Sequence, residues 1–188
     1  IDASDASIKG NTKSATDYVY LLKFDRAGTD ANDNTYYQYK AIVNGEETTI
    51  KLDDTFGKKQ TVMTLYDGIA YDADTGYVTD MDPVNPAAGA DDDYVKGNIS
   101  GEVNFSKGVF DFVKDKAVAD NYNVYFVVEK NVAGINDNNN DYSVDTVTGS
   151  GLETECKDYN VTGTYYGVLN NDGEITDLYV YVSRATKA

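Results

Sequence analysis

The chain predicts an all-β protein of two tandem small β-barrel or β-sandwich domains, each of about five strands. Three features carry that expectation. The C-terminal run Tyr165–Val182 places two β-forming segments around Asn171-Asp172-Gly173, and Asp-Gly suits a tight hairpin turn. A weaker copy of this pattern spans Tyr66–Met81. Both stretches contain Tyr, Asp-Gly, an aliphatic residue, and Thr-Asp followed by Met or Leu. Between them, Asp82–Asp93 holds both prolines, small residues and the acidic triplet Asp91-Asp92-Asp93, the composition of an interdomain linker.

Taken in order, residues 1–16 read as a loose, polar lead-in. The first β domain covers 17–84. Tyr18–Phe24 is a continuous apolar strand, suited to burial on both faces. Asp30–Asn34 turns the chain, and Tyr36–Val43 runs into Asn44-Gly45, a strong short hairpin signal. Thr48–Leu52 returns, and Val62–Tyr71 and Tyr77–Met81 complete the set. Residues 85–94 form the linker and 95–188 the second β domain. There Val95–Phe105 makes a strand, Ser106-Lys107-Gly108 turns, and Val109–Val113 returns. Asn123–Val128 is a buried strand and the C-terminal hairpin ends the domain. Val109, Phe112, Val113, Lys116 and Ala117 also fit helical spacing, so one short helix is the alternative over Val109–Ala119.

Sixteen basic and thirty-two acidic residues give a net charge of −16. Such a chain repels phosphate backbones, which argues against nucleic acid as a partner, and it gains nothing from an anionic membrane surface. No apolar run approaches the roughly 20 residues of a membrane-spanning helix, so membrane insertion is not expected. Histidine is absent, which removes the commonest general base and zinc ligand. Cys156 is the one cysteine, with no histidine to activate it. No catalytic residue is assigned, and an enzyme is not expected. The start at Ile1 instead of Met reads as the mark of a processed or excised segment.

One acidic stretch has metal-ligand spacing. Asp137, Asn139, Asp141 and Asp145, with Ser143 between them, offer oxygens at alternate positions, as calcium-wrapping loops do. The glycine and the bidentate glutamate of such loops are missing, so a solvated loop competes with calcium as the reading. Asp72-Ala-Asp-Thr-Gly76 with Asp80 is better suited to a β-turn. Asn98, Asn104 and Asn160 begin Asn-x-Ser/Thr sequons, a motif that chains rich in these residues generate by chance. Seventeen tyrosines could stack on sugars, although strands favour Tyr in any case.

Tyr36–Ile50 and Gly163–Val180 resemble the β-rich regions of bacterial surface proteins that carry S-layer homology domains. The resemblance implies a non-enzymatic, extracellular part of a cell-envelope protein that self-associates with identical subunits or acts as a spacer. The acidic loop adds calcium as a candidate aid to assembly. The alternative is an adhesin or glycan-binding module.

Overall fold

The computed structural model describes residues 18–57, 59–86, 93–113, 115–130, 132, 134–135 and 141–188. The expected lead-in 1–16 and most of the expected linker lie outside them. The chain divides into two compact units, Ile1–Val84 and Asn85–Ala188.

The first unit is a closed barrel of β1 (Val19–Thr29), β2 (Thr35–Val43), β3 (Glu46–Asp53), β4 (Thr64–Tyr71) and β5 (Val78–Pro83). Strands β1, β2 and β3 pair antiparallel in sequence order, β4 pairs with both β1 and β5, and a parallel contact of Leu52 with Val78 joins β3 to β5. Closure leaves no free sheet edge. Val19, Leu21, Tyr39, Ala41, Ile50, Leu52, Tyr66, Ile69, Val78 and Met81 fill the barrel. Asn44 and Gly45 both have positive φ (50° and 82°), the pair of left-handed residues that a two-residue type I′ hairpin requires. The loop after β3 is tied down by tyrosines. The Gln60 amide donates to the Tyr39 hydroxyl at 3.2 Å, and the Tyr66 hydroxyl donates to the Thr61 carbonyl at 2.8 Å.

The second unit is one open five-stranded sheet, in the order β10-β9-β12-β11-β6. Its strands are β6 (Tyr94–Gly101), β9 (Val118–Glu129), β10 (Tyr142–Val147), β11 (Tyr159–Leu169) and β12 (Ile175–Lys187). Strands β9 and β12 run parallel; the other pairs are antiparallel. The short hairpin of β7 (Phe105–Ser106) and β8 (Val109–Phe110), together with α1 (Gly149–Glu155), supplies the second layer. Phe110, Val113, Leu152 and Cys156 pack there against Ile99, Phe126, Val161, Leu178, Val180 and Val182.

Two expectations need correction here, the position of the short helix and the end of one strand. Among the described residues of Val109–Ala119 there is no helix: Gly108 turns the chain at φ 75°, Val109 bridges to Ala117, and both carboxylate oxygens of Asp111 accept from Asn104. The helix lies instead at 149–155, where the Thr148 hydroxyl caps it by accepting from the Gly151 amide at 3.0 Å. The strand expected over Val95–Phe105 stops at Gly101, whose φ of 125° breaks the extension. Asp67-Gly68 makes a bulge within β4, marked by a register shift, and the β-turn expected at Asp72–Gly76 is the one that joins β4 to β5.

Candidate functional site

The Asx residues that punctuate the sequence act as loop clamps. In the β1–β2 loop, Asp30 Oδ1 accepts from the amides of Asn32 (2.8 Å) and Asn34 (3.0 Å), with Asp33 left-handed at φ 61°. The β11–β12 loop repeats the device. Asn170 Oδ1 accepts from Asp172 (3.0 Å) and Glu174 (2.9 Å), and Gly173 is left-handed at φ 74°. In the β4–β5 loop, Asp72 Oδ1 accepts from the Asp74 and Thr75 amides and from the Thr75 hydroxyl. These bonds hold the Asp72 carboxyl below its ordinary range, the Thr75 amide first among them.

The Tyr77 hydroxyl donates to Asp30 Oδ2 at 2.7 Å, joining the β1–β2 loop to the β4–β5 hairpin. That bond, with those from Asn34 and Asn32, depresses the Asp30 carboxyl to about 2. The Tyr77 ring lies 5.6 Å from that of Tyr36, and the Lys51 ammonium sits 4.5 Å over Tyr36.

Two tyrosine–carboxylate clasps cross the parallel β9–β12 pair. Asp177 on β12 accepts from the Tyr125 hydroxyl and from Asn123, both at 3.3 Å, while the Tyr181 hydroxyl donates to Glu129. Tyr125 and Tyr179, direct partners in register, stack at 4.9 Å. Burial, then the Asp177 charge, pushes the Tyr125 hydroxyl up to about 12; burial and Glu129 push Tyr181 higher still.

A cleft of about 420 Å³ in the second unit is lined by Glu102, Val103, Asn104, Glu153, Thr154, Cys156, Lys157 and Asp158. Glu153 is already committed, accepting from the Phe105 amide at 2.7 Å. The Cys156 thiol is buried, and burial followed by the Glu155 charge drives it up to about 12. It is therefore a packing group at neutral pH, since the thiolate is the reactive species.

Of the candidate calcium ligands, Asp137 and Asn139 lie outside the described residues. Asp141 sits at a bend before β10, its carbonyl accepting from the Lys130 amide, and Asp145 is exposed within β10 opposite Phe126. Four residues of extended chain place them about 13 Å apart. The structure therefore does not bring Asp141 and Asp145 onto one cation. Among the described residues, no group of three or more Asp, Glu, His or Cys side chains is placed to hold a metal.

Sequence reasoning did not find the cationic face of the barrel. Tyr39 and Ala41 of β2 point into the core, so Gln38 and Lys40 alternate outward. Register then sets Lys23 of β1 directly opposite Lys40, and Arg26 opposite Gln38, which in turn faces Lys51 of β3. Four cations thus occupy one outer face of three adjoining strands.

Comparison with family models, with characterised proteins and with solved structures gives no match.

Proposed function

We propose that the chain is a non-enzymatic structural pair of β units from an extracellular cell-envelope protein. In this reading it self-associates with identical subunits into a surface layer or filament, or spaces other parts of such a protein. The observation that supports the reading most is where the polar side chains act. Asp30, Asp72, Asp111, Asn170, Asp177 and Glu129 each bind a loop or a neighbouring strand, reinforcing a frame. Buried tyrosines bridge the same elements with apolar bodies and hydroxyl tips. Calcium enters as an aid that bridges acidic surfaces of neighbouring subunits, with Asp137, Asn139, Asp141 and Asp145 as its candidate ligands. Light scattering and electron microscopy, with and without millimolar calcium, test the proposal. Growth of ordered assemblies supports it; monomers under both conditions refute it.

A second reading has one observation in its favour. Five-stranded Greek-key barrels include folds that bind oligosaccharides, and the barrel has five strands with a parallel β3–β5 closure. Fold analogy alone supports this adhesin or glycan-binding alternative. Glycan-array screening tests it: reproducible binding by the folded chain supports the alternative, and no binding refutes it.

A further inference from the structure

We infer that β6, at one edge of the open sheet, pairs antiparallel with β6 of a second copy of this chain. The inference rests on the self-association reading above and names the first contact of the assembly. Among the described residues, the sheet has two edge strands, β6 and β10. An edge strand turns alternate N–H and C=O groups away from its neighbour, a ready template for another strand. The two edges differ in how they meet that hazard. On β10, Asp145 lies opposite the core residue Phe126, so an exposed carboxylate stands on the packed face at the edge. An inward-pointing charge of this kind discourages strand addition. Strand β6 lacks such a device. It holds its register with β11 unbroken over all eight residues, with no proline and no bulge. Its one charged residue, Lys96, is drawn back over the Tyr166 ring of β11, 5.9 Å from the centroid.

The occupant follows from the match of this strand to itself. A two-fold axis normal to the sheet reverses the strand direction and keeps the packed layers on the same side. Residues that pair across strands share a face. Val95 and Ile99 face the core, whereas Lys96, Asn98 and Ser100 are exposed on the other face. An axis centred on Gly97 sets Val95 of each copy opposite Ile99 of the other, and Lys96 opposite Asn98. That register carries the apolar layer across the junction and opposes no like charges. Tyr94–Gly101 contains no carboxylate, so the net charge of −16 acts against this contact only from a distance. Salt screens such a repulsion.

Sedimentation velocity across a concentration series tests the inference on the wild type, Asn98→Asp and Asn98→Lys. Near-UV circular dichroism confirms that each is folded. Each substitution acts twice in the dimer, opposite Lys96 of either copy. Asn98→Asp should tighten the dimer roughly 5-fold, and Asn98→Lys should weaken it by a similar factor. Net charge alone gives the reverse, because the aspartate adds to the negative charge of the chain and the lysine reduces it. Raising salt from about 0.05 to 0.5 M should strengthen wild-type association. Unchanged or reversed responses of the two variants overturn the inference and leave the self-association reading standing. A wild-type chain that is monomeric throughout overturns both.

Discussion

Replacing Gly163 by alanine should destabilise the second unit more than most surface changes could. Gly163 sits at a register shift between β11 and β12. A Cβ there would lie 2.9 Å from the Tyr181 carbonyl carbon and 3.1 Å from the Val182 Cα, with the Tyr181 oxygen nearer still. Carbon atoms rest at about 3.5–4.0 Å, so the carbon contacts alone require the strands to part by roughly 0.6–1 Å, and the nearer oxygen requires more. The obstacle is backbone, which cannot turn aside as a side chain does. Overpacking costs about 1–3 kcal/mol, and two weakened cross-strand hydrogen bonds add about 1 kcal/mol each. The sum is about 3–5 kcal/mol, or a fall in Tm of at least roughly 12 °C for a unit of this size. Thermal and urea unfolding, followed by near-UV circular dichroism, measure it. Gly167→Ala is the contrast: its Cβ clashes with one side-chain atom, Val95 Cγ2 at 2.7 Å, while Leu178 and Ile175 stand at ordinary contact, and the expected loss is about 1–2 kcal/mol. A Gly163→Ala protein within 0.5 kcal/mol of wild type would refute the register described for β11 and β12.

Three further outcomes are expected. Thr148→Ala removes the cap of α1 and should cost about 1 kcal/mol in urea unfolding, while Thr148→Ser should keep most of it. The Asp30 carboxyl falls from 3.8 when unfolded to about 2 when folded, so its stabilisation is complete above pH 3.8 and disappears as pH drops toward 2. Asp30→Asn should be less sensitive than wild type across that window, as read by acid unfolding. The Tyr125 hydroxyl rises from 10 to about 12, so its contribution is complete below pH 10 and lost between pH 10 and 12. In the ultraviolet tyrosinate titration of folded protein, Tyr125→Phe should therefore remove a late-ionising component.

Much of the fold could be read from local chemistry. Asn44-Gly45 named its own turn, because few other dipeptides accept two left-handed residues in succession. The apolar runs at Tyr18–Phe24 and Asn123–Val128 became β1 and β9. One pattern can serve two structures. Alternating oxygens over Asp137–Asp145 suit a calcium loop, and alternation is also the strand period that Tyr142–Val147 adopts as β10, while Asp137 and Asn139 lie outside the described residues. Helix α1 opens with Gly-Ser-Gly, weak helix formers that hide it from propensity. The Asp72–Gly76 turn was legible from its Asp and Gly, whereas the bulge at Gly68 (φ 60°) inside β4 was not. The cationic face was invisible for another reason. Its members are scattered from Lys23 to Lys51, and only the pairing of β1, β2 and β3 gathers them.

Amide hydrogen exchange on the dilute chain bears most directly on the central claim, that the closed barrel of the first unit and the open sheet of the second each form within a single molecule. Strong protection of β1–β3 in the barrel and of β9, β11 and β12 in the sheet, at concentrations too low for association, is the predicted result. Rapid exchange throughout either set of strands, with protection only at high concentration, would contradict it.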